Sequence, residues 1–286
     1  MRFSVIVAPG LFAVSTSASP TTKGFSASRQ AHKSNELTVL VTGFDGLPNN
    51  TVINPSWEVA KSLPSQLPVG INSSIPRVKI LVPSDAIPVS YEAVDNFVPT
   101  IWDPSKGPEV DIAVHLGMWA PRTTYRLEKN AVRSGYKLRD ANCKCVSSAN
   151  GANSNSNCDW MEVGNDSCPD GQYRQGNAWN HGQQPPAELQ TDLDLEDIYQ
   201  RFYESGETDN QWPGIDFKIT SYNKEIFLCQ YLYYSSMAFL RGQNRPGKVV
   251  FLHVPSLTTP EAIQTSKDVT MNLIRSIVES EMQRGM

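Results

Sequence analysis

The sequence predicts a single three-layer α/β/α domain on a mixed, largely parallel sheet, and two observations carry the expectation. β-Branched apolar runs alternate with amphipathic stretches along most of the chain, and the runs stop at short turn-like segments. Strands covered by helices on both faces read as continuous apolar runs, which is the pattern seen. The 286 residues, 40% of them hydrophobic, are enough to bury a core of this kind.

Thr38 to Phe44 (TVLVTGF) is a β-branched run closing on a glycine-containing turn, the mark of a buried strand. A helix follows, capped by Asn54, with Pro55 in its first turn, apolar residues at Trp57, Val59, Ala60 and Leu63, and Pro64 to end it. Arg77 to Pro83 reads as the second strand. Val89 to Trp102 then places Val94, Val98 and Trp102 at a spacing of four, with Phe97 and Ile101 beside them, a core-facing helical stripe. Asp111 to Met118 (DIAVHLGM) is the third strand. From about Cys143 to Pro186 periodicity disappears among Asn, Ser and Gly, and the stretch reads as a long surface insertion. Order resumes with a strand at Phe217 to Ser221, a helix from about Lys224 to Leu240 and a strand at Lys248 to Val254. An amphipathic helix from Pro260 to Gln283 closes the domain, with Val269, Leu273 and Ile277, and separately Ile274, Val278 and Met282, stepping by four.

Residues 1–35 stand apart. They contain no Asp or Glu, carry Arg2, Lys23, Arg29 and Lys33, and are rich in Ser and Thr. Phe3 to Val14 followed by Ser15 to Ser19 fits a signal peptide interrupted by Pro9 and Gly10; the acid-free composition equally fits a transit peptide or a disordered leader. The expected organisation is a leader over 1–35 and one domain over 36–286, with the polar cysteine-containing insertion at about 143–186.

A net charge of −4 gives no basic surplus for neutralising phosphates, which argues against a nucleic-acid partner. No apolar run reaches the roughly 18 residues of a transmembrane helix, so no membrane role is expected. A small molecule or peptide is the expected partner. Cys143, Cys145, Cys158 and Cys168 crowd into the insertion. They would pair in a secreted protein, where the sequons at Asn49, Asn72 and Asn165 become glycosylation candidates, and would stay reduced in the cytosol. Zinc is a third possibility, against which the C-x-C spacing of Cys143 and Cys145 tells.

The fifth cysteine, Cys229, falls near the start of a helix that follows a strand. There the helix dipole and unpaired backbone N–H groups favour thiolate over thiol. The bland alternative is a buried structural cysteine beside Phe227 and Leu228. His253 closes a strand and precedes Pro255, at the carboxyl edge where α/β enzymes keep acid-base groups, and one helix and a return strand separate it from Cys229. A satisfied core histidine would look the same, and His115, inside an apolar run, is read that way. Glu128 in RTTYRLEKN has the chemistry to orient an imidazole, although an exposed charged loop containing Arg126 and Lys129 would read identically.

Several segments in a fixed order tilt these choices. VTGF (Val41 to Phe44), NPSWEVAKSLP (Asn54 to Pro64), IPVSYEAVDNFVPTIW (Ile87 to Trp102), VHLGM (Val114 to Met118), LEKN followed by GYKLRDANCKC, FLCQYLYYSS (Phe227 to Ser236) and FLHVP (Phe251 to Pro255) resemble the pyroglutamyl-peptidase I family of cysteine peptidases. The resemblance spans about Val39 to Val278, and the insertion after GYK is most similar to the eukaryotic branch. It implies a cysteine-type omega peptidase that removes N-terminal pyroglutamate from peptides through an acyl-enzyme, with no cofactor or metal. Cys229 matches the nucleophile, His253 the histidine and Glu128 the glutamate of the triad, and Phe44 matches an aromatic of the pyroglutamate pocket. The family being mostly cytosolic, the resemblance implies the cytosol; a secreted protein is the alternative if residues 1–20 act as a signal peptide.

Three departures from the family pattern accompany the match. Asp45-Gly46-Leu47-Pro48 replaces a loop that carries a second pocket aromatic, leaving Leu47 in its place; Asn223-Lys224-Glu225 replaces small residues before the nucleophile; and Pro121-Arg122 stands in a loop that is often glycine-rich. Glu225 puts bulk and negative charge near a developing oxyanion. These changes define two rival expectations: a catalytically impaired homologue acting as a binding module, and a thiol hydrolase retuned to another blocked or cyclic amide.

Overall fold

A computed structural model of the chain describes residues 36–46, 53–68, 75–107, 109–119, 124–146, 166–172, 185–207, 215–221 and 226–285. The leader, Leu47, Cys158, Pro121-Arg122 and Asn223-Lys224-Glu225 lie outside them. The unit from Ser34 to Met286 is organised on a six-stranded sheet. Its strands are β1 (Glu36–Thr42), β2 (Arg77–Leu81), β3 (Ile112–Trp119), β4 (Thr124–Glu128), β9 (Asp216–Thr220) and β10 (Val249–Pro255), in the order β2-β1-β3-β10-β4-β9. β2, β1, β3 and β10 run parallel to their neighbours, β4 pairs antiparallel with β10, and β9 runs parallel to β4. The sheet is therefore mixed and largely parallel, as expected.

One face of the sheet is covered by α1 (Pro55–Ser62), α3 (Leu195–Glu207) and α5 (Pro260–Gln283). Val59, Phe202, Leu273 and Ile277 of these helices pack on Val41, Val114, Leu127 and Leu252 of the strands. The other face is covered by α2 (Tyr91–Trp102) and α4 (Leu228–Gly242), whose Val94, Val98, Tyr231 and Met237 form a second apolar cluster with Leu40, Ala113 and Phe251. Alternate residues of the same strands thus feed two cores, which is why these strands read as unbroken apolar runs. Two small sheets flank α4: β5 (Asn130–Val132) pairs with β8 (Glu188–Gln190), and β6 (Ser134–Leu138) with β7 (Asp166–Gln172), both antiparallel.

The local rules operate as the sequence suggested. The Asn54 side chain caps α1 by accepting from Ser56 N, with Pro55 at the first position. Thr259 caps α5 by accepting from Ala262 N, again ahead of a proline. Ser90 offers α2 no side-chain cap. Instead Asp140, fully buried, accepts from Tyr91 N (3.1 Å), Asn142 N (2.9 Å) and Lys144 N (2.9 Å), so one carboxylate starts a helix and folds the base of the insertion.

Four findings extend or correct the sequence reading. The stretch 143–186 is not wholly irregular, because β7 lies within it. Cys145 and Cys168 form a disulfide across that region, with Cα atoms 5.6 Å apart, and Cys143 is disulfide-bonded as well. Disulfide-bonded sulfurs are not thiolates, so Cys143, Cys145 and Cys168 in this form do not offer the ligands of a zinc site. α3 occupies residues that carried no assigned element. α4 begins at Leu228, later than expected, because Phe227 is its extended N-cap (φ −137°, ψ −158°).

Candidate active site

Glu128, His253 and Cys229 reach one place from three elements. His253 lies in β10, in register with Gly117 of β3 on one side and Arg126 of β4 on the other. Glu128, the last residue of β4, pairs with Phe251 and is therefore the diagonal neighbour of His253 on the same face, a spacing a long side chain can bridge. His253 Nδ1 stands 3.0 Å from Glu128 Oε1, with the two residues only 5% and 4% exposed. The carboxylate accepts from Nδ1–H, leaving Nε2 for the residue's other partner, the thiol of Cys229. Glu128 is thus a buried strand residue and not part of an exposed charged loop.

Burial works against a charge on His253, but the Cys229 sulfur and the Glu128 carboxylate outweigh it and lift the imidazole to about 9 from an ordinary 6.5. His115, two residues before Gly117, behaves in the opposite way: burial without a counter-charge pushes it down to about 3. Its two nitrogens are spoken for by Thr42 Oγ1 (2.8 Å) and Ser236 Oγ (2.9 Å), the structural role the sequence assigned it.

Cys229 is the free cysteine among the described residues, and it occupies the second position of α4. Phe227 provides no side-chain cap for the first turn of α4, in which the sulfur's residue lies. The floor beneath the sulfur is Gly117. A Cβ there would fall 3.0 Å from Cys229 Sγ and 2.7 and 2.8 Å from the Phe251 ring, which itself packs 4.9 Å from the His253 ring. Gly117 lies in VHLGM and Phe251 opens FLHVP, but only the three-dimensional packing gives them a role at this site.

Phe44 follows β1 and is 3% exposed, in the same apolar cluster as Ile87, Tyr91, Phe227 and Cys229. It is fixed by Phe44 N donating to Ser56 Oγ (3.0 Å) and by a parallel bridge to Ile87. Gly43 makes that docking possible, since a Cβ would meet Ser56 O at 2.5 Å. A separate cavity of about 190 Å³, lined by Trp102, Glu109 and Arg245 among others, lies at the opposite end of α4. Among the described residues no cluster of His, Cys, Asp and Glu could hold a metal ion, and no helix is long and apolar enough to cross a membrane.

No family model matches the chain. Individual relatives do. Pyroglutamyl-peptidase 1 of Mus musculus is 26% identical over 242 residues, 84% of this chain and 88% of the mouse protein, and that of Homo sapiens is 25% identical over the same span. Among solved structures, a mutant pyrrolidone carboxyl peptidase of Pyrococcus furiosus superposes with a TM-score of 0.58 at 19% identity, covering 85% of this chain and 99% of that one. Pyroglutamyl peptidase I of Bacillus amyloliquefaciens gives 0.56 at 17% identity, covering 85% and 97%. The structural likeness establishes a shared α/β fold, and the curated relatives connect it to this chain's sequence over most of its length.

Proposed function

We propose that this chain, like the pyroglutamyl-peptidase 1 relatives it resembles over most of its length, removes N-terminal pyroglutamate from peptides, with Cys229 as nucleophile, His253 as acid-base group and Glu128 as the residue that orients the imidazole. The observation that carries this reading is the buried chain of contacts from Glu128 Oε1 through His253 to the thiol at the start of α4. The thiolate attacks the carbonyl joining pyroglutamate to the next residue, forming the C–S bond. Imidazolium then protonates the leaving amine as the C–N bond breaks. Water, deprotonated by the now neutral His253, cleaves the thioester and frees pyroglutamate. The N–H groups of the first turn of α4, which have no intrahelical partner, are the natural donors to the oxyanion. Phe44 lines the slot for the uncharged lactam.

The test is release of a fluorescent amine from a pyroglutamyl-amide by the wild-type protein and by Cys229→Ala. Turnover that vanishes in the variant supports the reading. A folded wild-type protein without turnover overturns it, and the rate at which Cys229 alkylates then separates the two rivals. A fast, low-pKa thiol indicates a hydrolase retuned to another blocked amide, and an inert one indicates a binding module.

The location follows the cysteines. The family resemblance implies the cytosol, yet a disulfide between Cys145 and Cys168 together with an oxidised Cys143 favours an oxidising compartment, the secreted alternative. Finding Cys145 and Cys168 as free thiols in the protein isolated from its native source would restore the cytosolic reading.

A further inference from the structure

We infer that Gln230 and Tyr233 are positioning residues that clamp the nucleophile's helix to the segment carrying Glu128. The inference rests on the triad reading and adds the part that sets the triad's geometry. β5 follows Glu128 after a single residue, and among the described residues one of its edges is paired with a strand, β8. Ala131 lies opposite Leu189 of β8, and Arg133 N donates to Ala187 O; the other edge presents Asn130 O and Val132 N towards α4. Gln230, buried and next in sequence to Cys229, answers both: its Nε2 donates to Asn130 O at 3.3 Å and its Oε1 accepts from Val132 N at 3.3 Å.

A primary amide offers the same donor and acceptor pair as a peptide unit, so the Gln230 side chain bonds the α4-facing edge of β5 as a single-unit strand would. Asparagine is one methylene too short to keep that reach from the same backbone position, and glutamate has no donor for Asn130 O. One helical turn on, the Tyr233 hydroxyl donates to the Glu128 carbonyl at 3.2 Å. Burial, reinforced by Glu128, raises that phenol above its usual range, so it stays protonated and keeps donating. Three hydrogen bonds from two side chains of α4 therefore land on residues 128–132. Thiol and carboxylate, the two ends of the relay, are referred to one rigid segment, and His253 bridges them from β10. Neither clamp residue needs to touch substrate.

The experiment compares the full-length wild type with Gln230→Leu and Tyr233→Phe. It measures kcat and KM on a pyroglutamyl-amide, the pH dependence of Cys229 alkylation by iodoacetamide, and melting temperature. The control is Thr270→Val, which removes a buried hydrogen bond to Ser266 O in α5, on the other face of the sheet. The clamp predicts that kcat and the neutral-pH alkylation rate fall by about 10- to 100-fold, with KM within about twofold, and that the alkylation midpoint moves upward. Thr270→Val should lower only the melting temperature. Should Gln230→Leu fail to fold, Tyr233→Phe, which loses a single oxygen atom, carries the test. Clamp variants with wild-type alkylation profiles and kcat per folded molecule overturn the inference. A fast wild-type thiol without turnover refutes the proposed substrate while leaving the clamp measurable by alkylation. A wild-type thiol as slow as a free cysteine removes both.

Discussion

Gly117→Ala isolates the space that the nucleophile occupies. The added methyl would lie 2.7 and 2.8 Å from two Phe251 ring carbons and 3.0 Å from Cys229 Sγ, where ordinary contact begins near 3.4 Å. The ring is fully buried between β10 and the helices above, so it gives way only by disturbing Tyr233 and His253, whose rings lie 6.1 and 4.9 Å from it. The sulfur is the terminus of a short side chain and is the cheaper atom to move. Overpacking of one methyl costs about 1–3 kcal/mol, or about 2–4 °C of melting temperature per kcal/mol in a domain of this size. Displacing the sulfur by several tenths of an ångström from His253 costs about 10- to 100-fold in turnover. The activity loss should therefore exceed what the stability loss explains. Turnover of a pyroglutamyl-amide at 25 °C, where the variant remains folded, and alkylation of Cys229 provide the two readouts. A Gly117→Ala protein with kcat within twofold of wild type would refute the packing argument, since either the sulfur is not where the reaction needs it or the floor yields at no cost.

Glu128→Gln keeps the shape but removes the charge that supports imidazolium; turnover should fall by about 10²–10⁴-fold, and the alkaline limb of the pH–rate profile should move to lower pH. In the wild type that limb should lie near 9, where His253 loses the proton it gives to the leaving amine, and a kcat profile checks it. The sign for stability follows from the same shift: His253 is raised above its unfolded 6.5, so its contribution is complete below that pH and is lost as pH rises through about 9, as melting temperature against pH will show. Cys168→Ser opens a loop of 23 residues and should cost about 3 kcal/mol, read from denaturant unfolding, with turnover per folded molecule unchanged. Asp140→Ala removes the acceptor of three backbone N–H groups and should destabilise by about 2–4 kcal/mol, lowering the melting temperature without moving the alkylation profile of Cys229.

The six strands of the main sheet divide by how their sequences announce them. β1, β3 and β10 are buried on both faces, and their apolar runs were legible at once. β4 was not, because its Arg126 and Glu128 share a face with His253 and dilute the hydrophobic signal that the opposite face, Tyr125 and Leu127, provides. The functional carboxylate is itself what disguised its strand. β7 contains Pro169 and Gly171 and carries no strand pattern; its pairing with β6 accompanies a disulfide at Cys168 that no local periodicity encodes. α3 was missed for a different reason, since Leu195, Ile198 and Phe202 do give it a buried stripe, set among acidic and polar residues that read as loop. Cys229 and His253 were placed on the right elements by pattern. Their union with Glu128 was legible only through the family resemblance, because contacts across a sheet leave no trace in sequence spacing.

The antiparallel junction between β10 and β4 consists of three residue pairs, Phe251 with Glu128, Leu252 with Leu127 and His253 with Arg126. Strand faces alternate, so the parity of this short seam decides which chemistry His253 meets. A slip of one residue would bring Leu127 to the histidine and drive the Glu128 carboxylate into the apolar layer of α5. A two-residue slip would restore the face but exchange the carboxylate for the Asn130 amide or the Arg126 guanidinium. A shift of β4 against β10 therefore acts on catalysis as a frameshift acts on a reading frame, whereas the cysteine-bearing insertion, set off from β4 by β5 and β6 and from β10 by α3, β9 and α4, can lengthen without moving either strand.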